Sequence, residues 1–265
     1  MAKLFIKQAK QYADTRPSYP DDLFQFIASK TPHHDLAWDV GTGSGQAAAS
    51  LARIYKNVIA TDTSSNQLEF ATKLPNIQYQ LTTPRMSIKE LEQNVARQSS
   101  VDLVTIAQAM HWFHLPDFYK QVKFLLKKPN GVIAAWCYTV PEVDESVDAV
   151  FKPFYSIDSH PFWEPQRKLV DDQYMNINFP FDPVDGTNNT GPFDQFVIEK
   201  VMDLDSYFTY LKSWSGYQTA KDKGVELLTD DVIEKFNRAW NQDGKGKKVV
   251  RFPIYLRIGK VGNNI

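Results

Sequence analysis

Residues 36–46 read LAWDVGTGSGQ, an apolar run around one aspartate followed by glycine at positions 41, 43 and 45. A buried strand that ends in alternate glycines and runs into a helix lets the backbone turn tightly and approach a ligand closely. A dinucleotide fingerprint needs glycine at 41, 43 and 46, and position 46 is Gln46. Asp39, two residues before the first glycine, would repel a pyrophosphate but suits a ligand that carries an ammonium group. The loop therefore argues against a nicotinamide oxidoreductase.

Outward from this loop, strands and helices alternate. NVIATD (57–62), IQYQLT (77–82), VDLVTIAQ (101–108) and GVIAAWCY (131–138) read as further strands. Helical stretches fall between them at 46–55, 65–74, 86–98 and 116–128, the last stopped by Pro129-Asn130-Gly131. FVIEKVMDL (196–204) and KVVRFPIYLRIGKV (248–261) add two strands, with helices expected over 206–217 and 230–240, and Gly244 and Gly246 suggest a turn feeding the last strand in as an antiparallel edge. Strands spaced by helices imply right-handed crossovers and an α/β, doubly wound, Rossmann-like sheet. The expectation is seven strands, mostly parallel, with helices on both faces and an inserted cap or lid.

The pattern divides the chain into four parts. Residues 1–35 read as an N-terminal helical segment, 36–140 as the ligand-binding core, and 193–265 as the last strands with further helices. Residues 141–192 are rich in Pro, Asp, Asn and aromatics without a period. So long a loop is improbable in a compact domain, which predicts short helices forming a cap.

Composition narrows the partners. The formal charge is −1, which argues against nucleic acid or an anionic membrane, and the basic clusters 120–128 and 245–251 read as solvated. Cys137 is the single cysteine, inside an apolar run, so it reads as a buried inert thiol. No apolar run reaches the roughly 18 residues of a spanning helix, and a cytoplasmic monomer or homodimer is expected. No His or Cys cluster has metal-ligand spacing, so no metal is predicted.

The stretch AWDVGTGSGQAA, with Asp62 ending the second strand in VIATDTS, resembles motif I and the ribose-binding acid of the class I S-adenosylmethionine-dependent methyltransferases. The run VDLVTIAQAMHWFHLPDFYKQVKFLLKKPNGVIAAW is similar to that family's fourth through fifth strands. YADTRPSYP (12–20), AQAMHWF (107–113) and the aromatic-rich insertion further resemble the trans-aconitate-type carboxyl methyltransferases and their plant homologues. The resemblance implies S-adenosylmethionine as cofactor, S-adenosylhomocysteine as product, and a small-molecule acceptor. It implies cofactor contacts from Asp39, Gly41, Gly43, Gly45, Asp62, Thr63, Ala107, Gln108 and Trp112, with Arg16 clamping the cofactor carboxylate and Tyr12 closing over its methionine end. One departure is plain: LTTPRMS (81–87) offers no carboxylate for the adenine amino group, leaving backbone, Ser87 or Met86 to recognise it.

Individual residues keep two readings at this stage. His111 is either the base for a hydroxyl acceptor or a packing histidine, and Trp112 is either a cavity wall or core. Tyr12, Arg16 and Tyr19 are either site residues or part of a stiff RPSYP turn. His114 reads as a helix cap. The expected reaction is O-methylation of a carboxylate or hydroxyl. A small-amine N-methyltransferase and a non-catalytic S-adenosylmethionine-binding protein are the alternatives.

Overall fold

The continuous apolar runs become the middle of a sheet. In the computed structural model, which describes residues 18–262, seven strands form: β1 (Leu36–Val40), β2 (Asn57–Asp62), β3 (Ile77–Leu81), β4 (Leu103–Ala107), β5 (Val132–Tyr138), β6 (Phe193–Asp203) and β7 (Lys247–Lys260). Their spatial order is β3-β2-β1-β4-β5-β7-β6. Every residue of β5 is buried, as are four of the five in β1 and in β4. Such strands are apolar throughout because both faces are covered.

The sheet is mixed, which corrects the expectation of a mostly parallel one. β3, β2, β1, β4 and β5 pair in parallel, whereas β7 runs antiparallel to both β5 and β6. The sequence carries the reason. Lys247, Val249 and Arg251 of β7 are exposed, alternating with buried Lys248, Val250, Phe252 and Ile254. That alternation marks one solvated face over this part of β7, as antiparallel strands have.

Ten α-helices are present among the described residues: α1 (Asp21–Ser29), α2 (Gln46–Leu51), α3 (Ser65–Glu69), α4 (Ile88–Asn94), α5 (Leu115–Leu125), α6 (Glu145–Pro153), α7 (Arg167–Asp171), α8 (Leu204–Lys212), α9 (Ser215–Asp222) and α10 (Asp230–Trp240). One core joins α1, α2, α6 and α8 to α10 to one sheet face through Leu23, Leu51, Phe151, Trp214 and Trp136. The opposite core joins α4 and α5 through Leu91, Phe118, Val122 and Leu125. Local chemistry trims the expected helices. Ser87 and Glu90 form a reciprocal capping box that starts α4 two residues late. The helix expected over 206–217 breaks in two at Ser213 and Trp214, where the Ser213 hydroxyl donates to the Tyr210 carbonyl.

Residues 141–192 hold α6, a π-helical turn (Phe154–Asp158), a 3₁₀ turn (His160–Phe162) and α7. The segment spans both cores: Phe151 and Phe154 belong to the first, Val170, Tyr174 and Phe179 to the second. It crosses from one to the other past the carboxyl ends of β4 and β5, because α7 packs on the 3₁₀ turn Met110–Trp112 that follows β4.

Candidate functional site

β1 and β4 are neighbours in space, and the chain winds away from them in opposite directions. Ligands of open α/β sheets collect at the carboxyl ends of such strands. A cavity of about 650 Å³ opens there. Its floor is the β1 loop (Gly41–Gly43), and Asp62–Ser64 after β2, Leu81–Met86 after β3 and Ala107–Ala109 after β4 form its walls. Tyr19 and Tyr138 close one side, and Asp117, Phe118 and Gln121 of α5 close the other.

Asp62 joins two of these loops. Its Oδ2 accepts from the Gly43 amide at 2.8 Å and its Oδ1 from the Ser64 amide at 2.9 Å. Lone pairs remain on both oxygens toward the cavity. Ser64 is the N-cap of α3, its hydroxyl accepting from the Gln67 amide, so Asp62 is not needed to cap that helix.

Gln108 shows strain at the same edge. It sits at φ +56°, a left-handed conformation that costs an L-residue about 1–2 kcal/mol. Its side chain offsets this by pairing with the Tyr138 backbone: Oε1 accepts from Tyr138 N at 2.7 Å and Nε2 donates to Tyr138 O at 3.1 Å. Gln108 thereby fixes the spacing of β4 and β5 where the cavity begins.

The residues fit a nucleoside-bearing amino acid. Gln67 Oε1 is buried beside Gly43 with no hydrogen-bond partner, leaving a polar acceptor for a ligand donor. Asp62 offers its free lone pairs, and the bare glycines admit a ligand against the backbone.

Relatives decide the family. A model of the methyltransferase domain matches residues 38–135. A Dictyostelium discoideum protein named as a methyltransferase is 34% identical over 258 residues, covering 95% of this chain and 92% of that one. The chain belongs to the class I S-adenosylmethionine-dependent methyltransferases. A Saccharomyces cerevisiae protein named as an S-adenosylmethionine-dependent methyltransferase is 29% identical over 252 residues, 85% of each chain. A solved structure described as a type II methyltransferase from Anaeromyxobacter dehalogenans superposes with a TM-score of 0.78 at 29% identity, covering 94% of this chain and 99% of that one.

The methyltransferase brings seven of the expected residues to one cavity: Gly41, Gly43, Asp62, Thr63, Ala107, Gln108 and Trp112 all line it. Tyr12 and Arg16 lie outside the described residues. Asp39, Gly45 and His111 do not line it. Asp39 is fully buried beneath the loop, with Oδ2 accepting from the Thr42 hydroxyl at 2.6 Å and Oδ1 from the Thr105 hydroxyl at 2.7 Å. The charge that argued for an ammonium ligand is therefore spent on holding the loop to β4. Gly45 faces the Tyr79 ring instead of the cavity. His111 is buried with Nδ1 2.9 Å from the Tyr174 hydroxyl. Ser87, a candidate for adenine, uses its hydroxyl in the capping box, while Thr82, Thr83, Arg85 and Met86 line the cavity. Trp112 is wall, not core alone.

Other lining residues escaped the sequence reading. Gln67, Gln121 and Tyr138 carry no motif, and only the three-dimensional crossing of α3, α5 and β5 brings them in. His114, read as a cap, holds the N-cap position of α5 without a side-chain cap bond. Its Nδ1 lies 2.9 Å from Asp117 Oδ2, and both residues line the cavity.

Two buried groups titrate in opposite senses. Burial, with the nearby Asp62 charge adding to it, raises the Asp39 pKa to about 6. The folded protein then holds this proton more tightly than the unfolded chain, so Asp39 removes stability as pH climbs from about 4 to 6. Burial, with the Arg167 charge adding to it, lowers the His111 pKa to about 3. That group removes stability as pH falls from 6.5 toward 3. Each slope is about 1.4 kcal/mol per pH unit, and between pH 4 and 6 they oppose one another. Asp39→Asn should make stability fall more steeply on acidification over this range, and His111→Gln should make it fall less steeply or rise. Urea midpoints at three pH values read both slopes. Variants that keep the wild-type pH dependence would contradict the assignment.

Proposed function

We propose that the enzyme methylates an oxygen of a small molecule, a carboxylate before a hydroxyl, as the resemblance to trans-aconitate-type carboxyl methyltransferases suggests. Gly41, Gly43, Asp62, Thr63 and Gln67 would hold S-adenosylmethionine, which would supply the methyl group for the acceptor oxygen and be released as S-adenosylhomocysteine. The chain's own part is positioning and exclusion of water. Gln108 and Asp62 keep the loops at fixed separation, and Trp112, Phe113, Tyr19 and Tyr138 give apolar walls whose ring faces suit a cation.

The observation that carries the choice of acceptor is the state of His111. A hydroxyl must lose its proton on methylation, whereas a carboxylate loses none. A histidine with a pKa near 3, buried outside the cavity, makes a poor base at neutral pH. His114 and Asp117 stand on the first turn of α5, on the side where the Gln121 amide donates to the Met86 carbonyl at 2.6 Å. In this reading that side receives the nucleoside, while the acceptor enters beside Tyr19 and Tyr138, under residues 141–192 as the lid. The cavity volume lies within the range of small-molecule sites, about 300–1,000 Å³, and the formal charge of −1 disfavours a nucleic acid. Among the described residues no helix is long and apolar enough to cross a membrane, and no His, Cys, Asp and Glu cluster could hold a metal.

The test is a labelled-methyl screen of small carboxylic acids, phenols and primary amines, run beside calorimetric titration with S-adenosylhomocysteine and with NAD. Micromolar binding of the first ligand and label transferred to acids are expected. Preference for amines would replace this reading with an N-methyltransferase. Binding without turnover of any class would leave only a cofactor-binding protein.

A further inference from the structure

The three glycines of the loop after β1 do not serve the same purpose. Gly41 and Gly43 line the cavity, whereas Gly45 is buried, has φ +82° and faces the protein. A Cβ there would collide with the hydroxyl and the ring of Tyr79, with Cζ at 3.1 Å and Cε1 at 3.3 Å. Glycine at 45 therefore makes room for a tyrosine, not for a ligand. Tyr79 stands in the middle of β3, the edge strand of the sheet, opposite Ala60 of β2, and does not line the cavity.

Two further contacts fix that ring. Its hydroxyl donates to the Thr72 carbonyl at 2.8 Å, in the connection that follows α3. Lys73, the next residue, sets its ammonium 4.6 Å from the ring centre and donates to the Leu68 carbonyl of α3 at 2.8 Å. Burial, with the Asp39 charge adding to it, pushes the Tyr79 phenol up to about 12, so at neutral pH the hydroxyl keeps its proton and goes on donating.

These contacts span the two segments that meet the cofactor. Gly45 sits between Gly43 and the pair Gln46 and Ala47, and those three residues line the cavity. α3 carries Gln67, which also lines the cavity and whose unpartnered Oε1 lies 3.9 Å from where a Gly43 Cβ would stand. Asp62 ties the beginning of α3 to the loop through the Gly43 and Ser64 amides. Tyr79 ties the other end, its ring bearing on Gly45 while its hydroxyl holds Thr72. One tie at each end gives the gap between the loop and Gln67 a fixed width. Without the far tie, Asp62 alone leaves α3 free to pivot.

We propose that Tyr79 is a positioning residue of the cofactor site: wedged against Gly45 and bonded to Thr72, it sets the distance between the glycine loop and α3 at which Gly43 and Gln67 grip the cofactor. This rests on the reading that Gly43 and Gln67 hold S-adenosylmethionine. Tyr79 touches neither cofactor nor acceptor and acts only through the width of that gap.

Calorimetric titration with S-adenosylhomocysteine, on proteins shown to be folded by circular dichroism, is the measurement, with urea midpoints taken beside it. Tyr79→Leu should weaken binding about tenfold. Tyr79→Phe, which keeps the ring but not the hydroxyl, should fall between the leucine variant and the unaltered protein. A tyrosine that served stability alone would lower the urea midpoint and leave the affinity of the folded protein as it was. Gly45→Ala attacks the same contact from the other side. It should weaken binding about tenfold in the unaltered background and about threefold or less in Tyr79→Leu, where the opposing atoms are gone. A leucine variant that binds within threefold of the unaltered protein, or a Gly45→Ala change that weakens binding equally in both backgrounds, would overturn the proposal. If the leucine variant does not fold, the comparison is made in Tyr79→Phe, which lacks the hydroxyl nearest to the added carbon. Gly45→Ala should then weaken binding less than in the unaltered protein, and an equal loss overturns the proposal. Failure of the unaltered protein to bind S-adenosylhomocysteine would instead remove the cofactor reading, a separate result.

Discussion

Asp62→Ala should weaken S-adenosylhomocysteine binding by about a hundredfold. Two effects combine. The carboxylate is the one acid that lines the cavity at the end of β2, so its loss removes a charged acceptor from the ligand. It also accepts the Gly43 and Ser64 amides at 2.8 and 2.9 Å, and without it both donors are left unpaired and the two loops lose their common tie. Hydrogen bonds to a charged group contribute about 1.5–3 kcal/mol each, and about 2.7 kcal/mol corresponds to a hundredfold in affinity. Asp62→Asn separates the parts, since the amide oxygen keeps one acceptor while its NH₂ faces a backbone donor. Its affinity should lie between those of the alanine variant and the unaltered protein. Calorimetric titration measures all three. An alanine variant within threefold of the unaltered protein would mean that Asp62 ties loops and nothing more.

Gly41→Ala carries the second large effect, and this one falls on stability. Gly41 has φ +65°, a conformation that costs a residue with a Cβ about 1–2 kcal/mol. The added carbon would stand 2.9 Å from Ala109 Cβ and 3.7 Å from the Phe113 ring. Carbon atoms pack at about 3.5–4.0 Å, so the first contact forces the β1 and β4 loops apart. The two terms together amount to about 3 kcal/mol. Ala109→Gly in the same chain removes the clash and leaves the backbone strain, so the double variant should recover about half the loss. Urea unfolding of the four proteins of this cycle gives the split directly. A single variant as stable as the original, or a double variant no better than the single, would show that the loop yields without cost.

Much of the fold was legible because its signals are local. Runs such as LVTIA and VIAAWCY are apolar at every position, which only a strand covered on both faces tolerates. The glycines at 41 and 43 announced a close backbone approach, and both line the cavity. The turn at Gly244 and Gly246 announced that β7 runs antiparallel, but that β6 rather than β7 forms the edge was not legible, since strand order is set by pairing between distant segments. Helix lengths were overread wherever a side chain found a better local bond than the next helical turn, as at Ser87 and Ser213.

The site divides along the same line. Asp39 and Asp62 are both acids at the end of neighbouring strands, and sequence gave no means to rank them. The structure separates them: Asp39 is closed off by two threonine hydroxyls, and Asp62 keeps a face on the cavity. His111 and His114 exchange places, the expected base being buried against Tyr174 and the expected cap lining the cavity. By itself the sequence determined the α/β winding, the glycine loop and the methyltransferase family, since period, turn chemistry and motif are properties of short stretches of chain. Which polar groups face the cavity was decided by tertiary structure alone, because burial and hydrogen-bond partners come from segments that meet only when the sheet has formed.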